Sequence, residues 1–136
     1  RSGRMQRIWV FVFGVGIMSE NSLYHYRAVY RSNYDGDTIR LDIDLGLGVW
    51  LHNQTIRLLG INTPELRSID PDEKHRAYRA RDFVQDILTG CESITIKTHQ
   101  DKTGKYGRWL AVVYINDDEN LNKMLIDAGL ASVANY

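Results

Sequence analysis

Three short segments hold side chains whose types and spacing could act on a charged substrate. In the first, Asp35 and Asp37 lie two residues apart in a D-G-D-T run, and an extended chain directs such residues to one side. Asp37 lies two residues before Ile39 and four before Leu41, so its side chain falls on the same, apolar face of the following strand. A carboxylate at the edge of a core is costly without compensation, so we expect a metal ion or an arginine beside Asp37. The alternative is a polar tight turn, the commoner meaning of Asp-Gly-Asp on its own.

The second segment covers residues 57–65, R-L-L-G-I-N-T-P-E, an apolar strand that ends in oxygen-rich residues. Asn62, the backbone carbonyl of Thr63 and Glu65 offer hard oxygen ligands, which suit Ca²⁺ rather than zinc. The alternative is an ordinary strand end, at which Pro64 prevents further pairing.

The third segment places Lys105, Tyr106 and Arg108 around a glycine. Basic and aromatic side chains in this arrangement can contact phosphates or bases, and the planar fork of arginine matches two phosphate oxygens. On its own the segment is equally typical of a solvated hairpin.

The hydrophobic pattern predicts the elements that must position these segments. Apolar and polar residues alternate from Ile39 to Leu45, which indicates a half-buried strand, and Gly46 and Gly48 then bracket a reversal into a long partner strand over Val49–Ile61.

A helix follows the cap Asp70, starts at Pro71 and is expected to stop at Gly90. The hydrophobic period is mostly that of strands from Leu23 onward, and three strands are counted before this helix. Further along the chain the pattern predicts a fourth strand over residues 94–98, a fifth over 109–115 and a short second helix that ends at Gly129. Three strands, a helix and two more strands is the element order of an OB-fold barrel, mainly β with α, with about two helices.

Size and composition limit the classes of protein. The chain has 136 residues and a mass of 15.7 kDa, which fits one domain, and its formal net charge of +0 provides no long-range attraction for a polyanion. The single cysteine excludes an intrachain disulfide framework. No stretch reaches the roughly 18 to 20 apolar residues of a membrane helix, so no membrane partner is expected.

The first 18 residues differ from the rest, because three arginines precede the apolar run Ile8–Ile17. A signal peptide, a translated leader before a start at Met18, and an extra strand over the barrel are all compatible with this pattern. We therefore divide the chain into a leader, signal-like or tag segment, 1–18, and a globular domain, 19–136, and predict no cellular location.

Together the three chemical segments resemble the staphylococcal nuclease (thermonuclease) family in order and spacing. The similarity extends from about Tyr26 to Val133 and includes the terminal L-N and A-G-L-A motifs. The resemblance implies an OB-fold hydrolase, a thermonuclease-like endonuclease that cuts phosphodiester bonds of DNA or RNA with Ca²⁺ as cofactor. We expect it to act as a monomer.

The resemblance also implies a metal site. In the family, the positions of Asp37, Asn62 and the Thr63 carbonyl ligate Ca²⁺, and the position of Asp35 lies in the outer shell. The family usually has aspartate where this chain has Asn62, which removes one formal charge from the site. The metal affinity, rather than the geometry, is thereby put in question.

The remaining roles follow from the same resemblance. Arg57 and Arg108 would bind the scissile phosphate, and Glu65 would align or deprotonate the attacking water. Lys105 and Tyr106 would contact another phosphate of the nucleotide. From the sequence we expect that alanine at Arg57, Glu65 or Arg108 reduces turnover by orders of magnitude and leaves the fold largely intact.

Two further features bear on this interpretation. The family commonly continues into a third helix, which is lacking before the last residue, Tyr136, so we expect either further chain or cover from the Ile8–Ile17 segment. The main alternative function is a non-catalytic OB-fold module that holds single-stranded nucleic acid. The arginine pair and Glu65 favour the enzyme, because a module of that kind has no need of them.

Overall fold

The computed structural model describes residues 23–99 and 108–134. The segment 1–18 and the side chains of Lys105 and Tyr106 therefore lie outside the described residues. The strands are β1 (His25–Asn33), β2 (Thr38–Gly46), β3 (Val49–Leu58), β4 (Ile61–Asn62), β5 (Ile94–His99), β6 (Trp109–Ile115), β7 (Glu119–Asn120) and β8 (Ser132–Val133). The helices are α1 (Pro71–Gly90) and α2 (Leu121–Asp127).

Five strands close into a barrel. The antiparallel order β3-β2-β1-β5-β6 is completed by a parallel pairing of β6 with β3, in which Trp109 lies opposite Ile56. This arrangement confirms the five-stranded OB-fold barrel predicted from the element order. The interior contains the largest fully buried side chains, which are Ile39, Leu41, Ile56, Leu58, Ile96, Leu121, Leu125, Val84 and Val113.

Helix α1 lies between β4 and β5 in the chain, and its Val84 and Leu88 side chains belong to the hydrophobic core. Its N-cap is Asp70, whose carboxylate accepts a hydrogen bond of 3.0 Å from the backbone N–H of Asp72. The helix ends at Gly90, where the sequence predicts its stop, and Cys91 is the C-cap. Among the described elements, neither helix combines the length and the apolarity that spanning a bilayer requires.

The β2–β3 hairpin reverses at three residues with positive φ, Gly46, Leu47 and Gly48. The two glycines stand at the positions where the sequence predicts the reversal. Strand β3 ends at Leu58, and Gly60, with φ of 81°, separates it from the short β4. The predicted long strand over 49–61 is therefore two strands joined by a tight turn, which redirects the oxygen-rich end of the segment.

Asn122 fastens α2 to the barrel. Its amide nitrogen donates to the Leu59 carbonyl at 2.9 Å, and its amide oxygen accepts from the Val113 N–H at 3.1 Å. Because a buried amide satisfied on both sides fixes its neighbours, this residue holds the turn after β3 against β6.

Candidate active site

The Asp37 carboxylate lies at the centre of the site, buried where the chain enters β2. Its Oδ2 is 3.2 Å from Nη2 of Arg57 and accepts a hydrogen bond of 3.0 Å from the backbone N–H of Thr63. The Thr38 hydroxyl donates to Oδ1 at 3.3 Å. The sequence predicts a metal ion or an arginine beside this buried carboxylate, and Arg57 is such an arginine.

Asp35 organises the turn that presents Asp37. Its Oδ1 accepts the backbone N–H groups of Asp37, at 3.2 Å, and Thr38, at 2.9 Å. Burial raises the pKa of Asp35 to about 7, and the adjacent Asp37 carboxyl adds to the rise. The D-G-D segment therefore forms a tight turn, and the same turn places the Asp35 and Asp37 carboxylates beside each other. The two interpretations of the motif are compatible.

The Arg57 guanidinium connects the first two segments. Its Nη2 lies 2.6 Å from the Asn62 amide oxygen as well as 3.2 Å from Asp37, and its Nη1 donates to the Leu58 carbonyl at 2.9 Å. Only 7% of the Arg57 side chain is exposed. A guanidinium held at three points is preorganised, because little side-chain entropy remains to be lost when a phosphate binds.

The donor set around Asp37 is suited to a hard cation. No group of three His, Cys, Asp or Glu side chains in the described ranges could hold a metal, so a site here needs neutral oxygens from Asn62 and Thr63 as well. The Thr63 hydroxyl is buried without a hydrogen-bond partner among the described residues. A buried hydroxyl of this kind beside a carboxylate fits a cation site, because a bound cation or one of its waters would supply the missing partner.

Glu65 lies exposed, two residues beyond Thr63. Its backbone N–H is held by Oε2 of Glu73 at 3.1 Å, in the first turn of α1. Glu73 thus holds the backbone at Glu65, a contact that the sequence does not predict, because acidic residues in a first helical turn are common.

Arg108 immediately precedes β6 and has the parity of Leu110, which pairs with Arg57 across the parallel β3–β6 contact. Alternate residues of a strand lie on one face of a sheet, so we expect Arg108 on the face that carries Arg57. The described site therefore unites Asp35, Asp37, Arg57, Asn62 and Thr63 by direct contacts. Lys105 and Tyr106 remain predictions.

Gly36 permits the close packing of this turn. A Cβ at Gly36 would lie 2.8 Å from both the Ala80 Cβ and the Thr63 Cγ2. We expect Gly36→Ala to lower stability by about 1–3 kcal/mol, the usual cost of overpacking, and thus to lower the melting temperature by several degrees. Gly90→Ala is the control, because nothing lies within 4 Å of its added Cβ. Equal melting of the Gly36 variant and the unmodified chain would contradict this packing.

Comparison with known proteins agrees with this barrel. The model of the family described as staphylococcal nuclease homologue matches residues 55–136, more than half of the chain. The chain therefore belongs to the staphylococcal nuclease family.

Three curated relatives share the similarity. An uncharacterised protein, MJ1439 of Methanocaldococcus jannaschii, is 31% identical over 129 residues, covering 80% of this chain and 59% of its own length. The thermonuclease of Staphylococcus intermedius is 33% identical over 104 residues, covering 75% of this chain and 56% of its own length. The thermonuclease of Staphylococcus hyicus is 27% identical over 138 residues, covering 93% of this chain and 76% of its own length. The chain thus spans somewhat more than half of the length of the first two.

Proposed function

We propose that this chain is a calcium-dependent nuclease that hydrolyses phosphodiester bonds of DNA or RNA by attack of water. The observation that carries the proposal is the contact of Arg57 with both Asp37 and Asn62, which joins a phosphate-binding cation to hard oxygen donors at one point. Membership in a nuclease family and two relatives named thermonuclease support the same assignment.

The arginines would stabilise the developing charge. Hydrolysis of a phosphodiester builds negative charge on the equatorial oxygens, and fixed donors placed beforehand lower the barrier more than mobile water does. Arg57 is fixed by its three contacts, and Arg108 is expected to bind the same phosphate from the start of β6. Arginine suits the role because its charge is permanent and its fork matches two oxygens.

Asp37, Asn62 and the Thr63 carbonyl would hold the calcium ion, with Asp35 in the outer shell, and the ion supplies positive charge beside the scissile phosphate. Glu65 would orient or deprotonate the attacking water, a contribution typically worth about 10²- to 10⁴-fold.

Outside the described residues, Lys105 and Tyr106 are proposed to contact another phosphate of the nucleotide. All of these side chains belong to one chain, and we propose that a monomer is active.

Incubation with plasmid DNA and with RNA, in calcium and in chelator, tests the function. Degradation is expected with calcium and is expected to stop in chelator. Full cleavage in chelator would contradict the calcium dependence. Binding of single strands without cleavage in either condition would favour the non-catalytic OB-fold module instead.

Asn62→Asp tests the proposed metal ligand. A second charged ligand beside Asp37 should tighten calcium binding, since the number of charged ligands is a principal control on affinity. Sequence reasoning alone predicts a lower melting temperature without metal, from repulsion among carboxylates. The structure changes that expectation, because the new carboxylate would accept from Arg57 Nη2, now 2.6 Å from the Asn62 oxygen.

We therefore expect Asn62→Asp to bind calcium more tightly and to melt within a few degrees of the unmodified chain in chelator. Isothermal titration and differential scanning calorimetry measure the two effects separately. Unchanged calcium affinity would remove Asn62 from the ligand set. A large drop of the melting temperature in chelator would show that repulsion outweighs the new contact with Arg57.

A further inference from the structure

A groove of about 400 Å³, lined by residues with polar groups, adjoins the candidate site on the outer surface of the barrel. Six residues from β1, β2, β3 and the turn after β1 line it, namely Ser32, Asn33, Tyr34, Thr38, Arg40 and Thr55. Thr38 is shared with the site, because its hydroxyl donates to Asp37 and it pairs with Arg57 across β2 and β3. A chain bound at the Arg57 phosphate site can therefore continue directly into the groove.

The groove presents an aromatic ring at its rim. Tyr34 is 54% exposed, and its backbone N–H donates to the Thr38 carbonyl at 3.2 Å, which fixes its place on the turn. Its hydroxyl accepts from Nε of Arg67 at 3.0 Å, and the Arg67 guanidinium lies 5.9 Å from the ring centroid. An exposed, anchored ring beside a cation is the arrangement on which unpaired bases stack.

The groove also contains an arginine, Arg40, that could bind a phosphate of the nucleic-acid backbone. Arg40 is exposed and lies opposite Thr55 on β3, and its Nη1 donates to the Asn53 carbonyl at 3.3 Å. A guanidinium carries five N–H donors, so a phosphate can be bound by the others. The hydroxyls of Ser32 and Thr55 add neutral donors along the wall.

We propose that this groove binds the nucleotide next to the scissile phosphate of a single strand, with its base stacked on Tyr34 and its phosphate at Arg40. The proposal rests on the proposed function, which supplies the phosphate at Arg57. It goes further by giving the enzyme a subsite for one unpaired base, placed on the outer wall of β1, β2 and β3.

Binding without turnover tests the subsite separately from catalysis. Fluorescence anisotropy in chelator and low salt compares a labelled thymidine hexanucleotide with an abasic hexamer that carries the same phosphates. Tyr34→Ala is expected to weaken the thymidine hexamer about tenfold or more, and to leave the abasic one unchanged. Tyr34→Phe should retain the binding, since it keeps the ring. Arg40→Gln should weaken both ligands.

Tyr78→Ala is the matched control, because Tyr78 is an exposed tyrosine on α1 with the Arg81 guanidinium 4.7 Å from its ring. It should bind both hexamers as the unmodified chain does. Unchanged thymidine-hexamer binding in Tyr34→Ala, or an equal loss for both hexamers, would overturn the subsite. If Tyr34→Ala weakened only the thymidine hexamer, but the unmodified chain cleaved no nucleic acid, the subsite would be supported and the nuclease function rejected. Failure of the subsite and failure of the proposed function are therefore distinguishable.

Discussion

Arg57→Lys is expected to reduce turnover by about 10²- to 10³-fold while the protein remains folded. Lysine keeps the positive charge beside the buried Asp37 carboxylate, 3.2 Å from Arg57 Nη2, but it cannot present two parallel N–H groups to a phosphate. Loss of one preorganised partner of the transition state commonly has an effect of this size. Initial rates on a single-stranded oligonucleotide, with circular dichroism on the same samples, measure activity and folding together.

The structure predicts a different result for Arg57→Ala. Removing the cation leaves the buried Asp37 carboxylate without its charged partner, and breaking such a pair commonly costs about 3–5 kcal/mol. The sequence-based expectation that alanine at Arg57 leaves the fold largely intact therefore does not follow from the described contacts. Adding Asp37→Asn should recover part of the stability, though not the activity.

Arg27→Ala is the control for these arginine variants. Arg27 forms an exposed ion pair with Asp117, and such pairs contribute little to stability, so its rate and melting temperature should match those of the unmodified chain. Full activity in a folded Arg57→Lys protein would exclude Arg57 from the phosphate site.

Much of the scaffold follows from local patterns. The alternation from Ile39 to Leu45 predicts β2, the pair Gly46 and Gly48 predicts its hairpin, and Asp70 predicts the start of α1. The burial of Asp37 also follows from parity, because each step of two residues along a strand returns to the same face. These features depend on neighbours within a few residues, which the sequence displays directly.

Contacts between distant segments could not be predicted in this way. Gly36 packs against Ala80, and the Tyr34 hydroxyl accepts a hydrogen bond from Arg67. No periodic pattern links residues this far apart in the sequence, so nothing in the sequence indicates these contacts. The hydrogen bond between Arg57 and Asn62 arises from the turn at Gly60, where the sequence predicts one continuous strand instead. Family resemblance assigns roles to positions, but the partner that each side chain meets depends on the closed barrel.

Glu65→Gln separates the chemistry of the proposed water-activating group from its position. Glutamine preserves the shape of the side chain and removes its capacity to take a proton, so turnover should fall by about 10²- to 10⁴-fold. Because Glu65 is exposed, stability should change by no more than about 0.5 kcal/mol. Substrate binding in chelator should also persist, which places the loss in the chemical step.

Glu73→Gln and Glu92→Gln complete the test of Glu65. Glu73 accepts the Glu65 backbone N–H at 3.1 Å, so Glu73→Gln weakens a charge-assisted hydrogen bond and should reduce the rate less than Glu65→Gln does. Glu92 is an exposed carboxylate just beyond the other end of α1, and its replacement should leave the rate unchanged. If Glu65→Gln cleaved as fast as Glu92→Gln, the attacking water would need another base. If Glu73→Gln lost as much activity as Glu65→Gln, the placement of Glu65 by α1 would limit the rate as strongly as its carboxylate does.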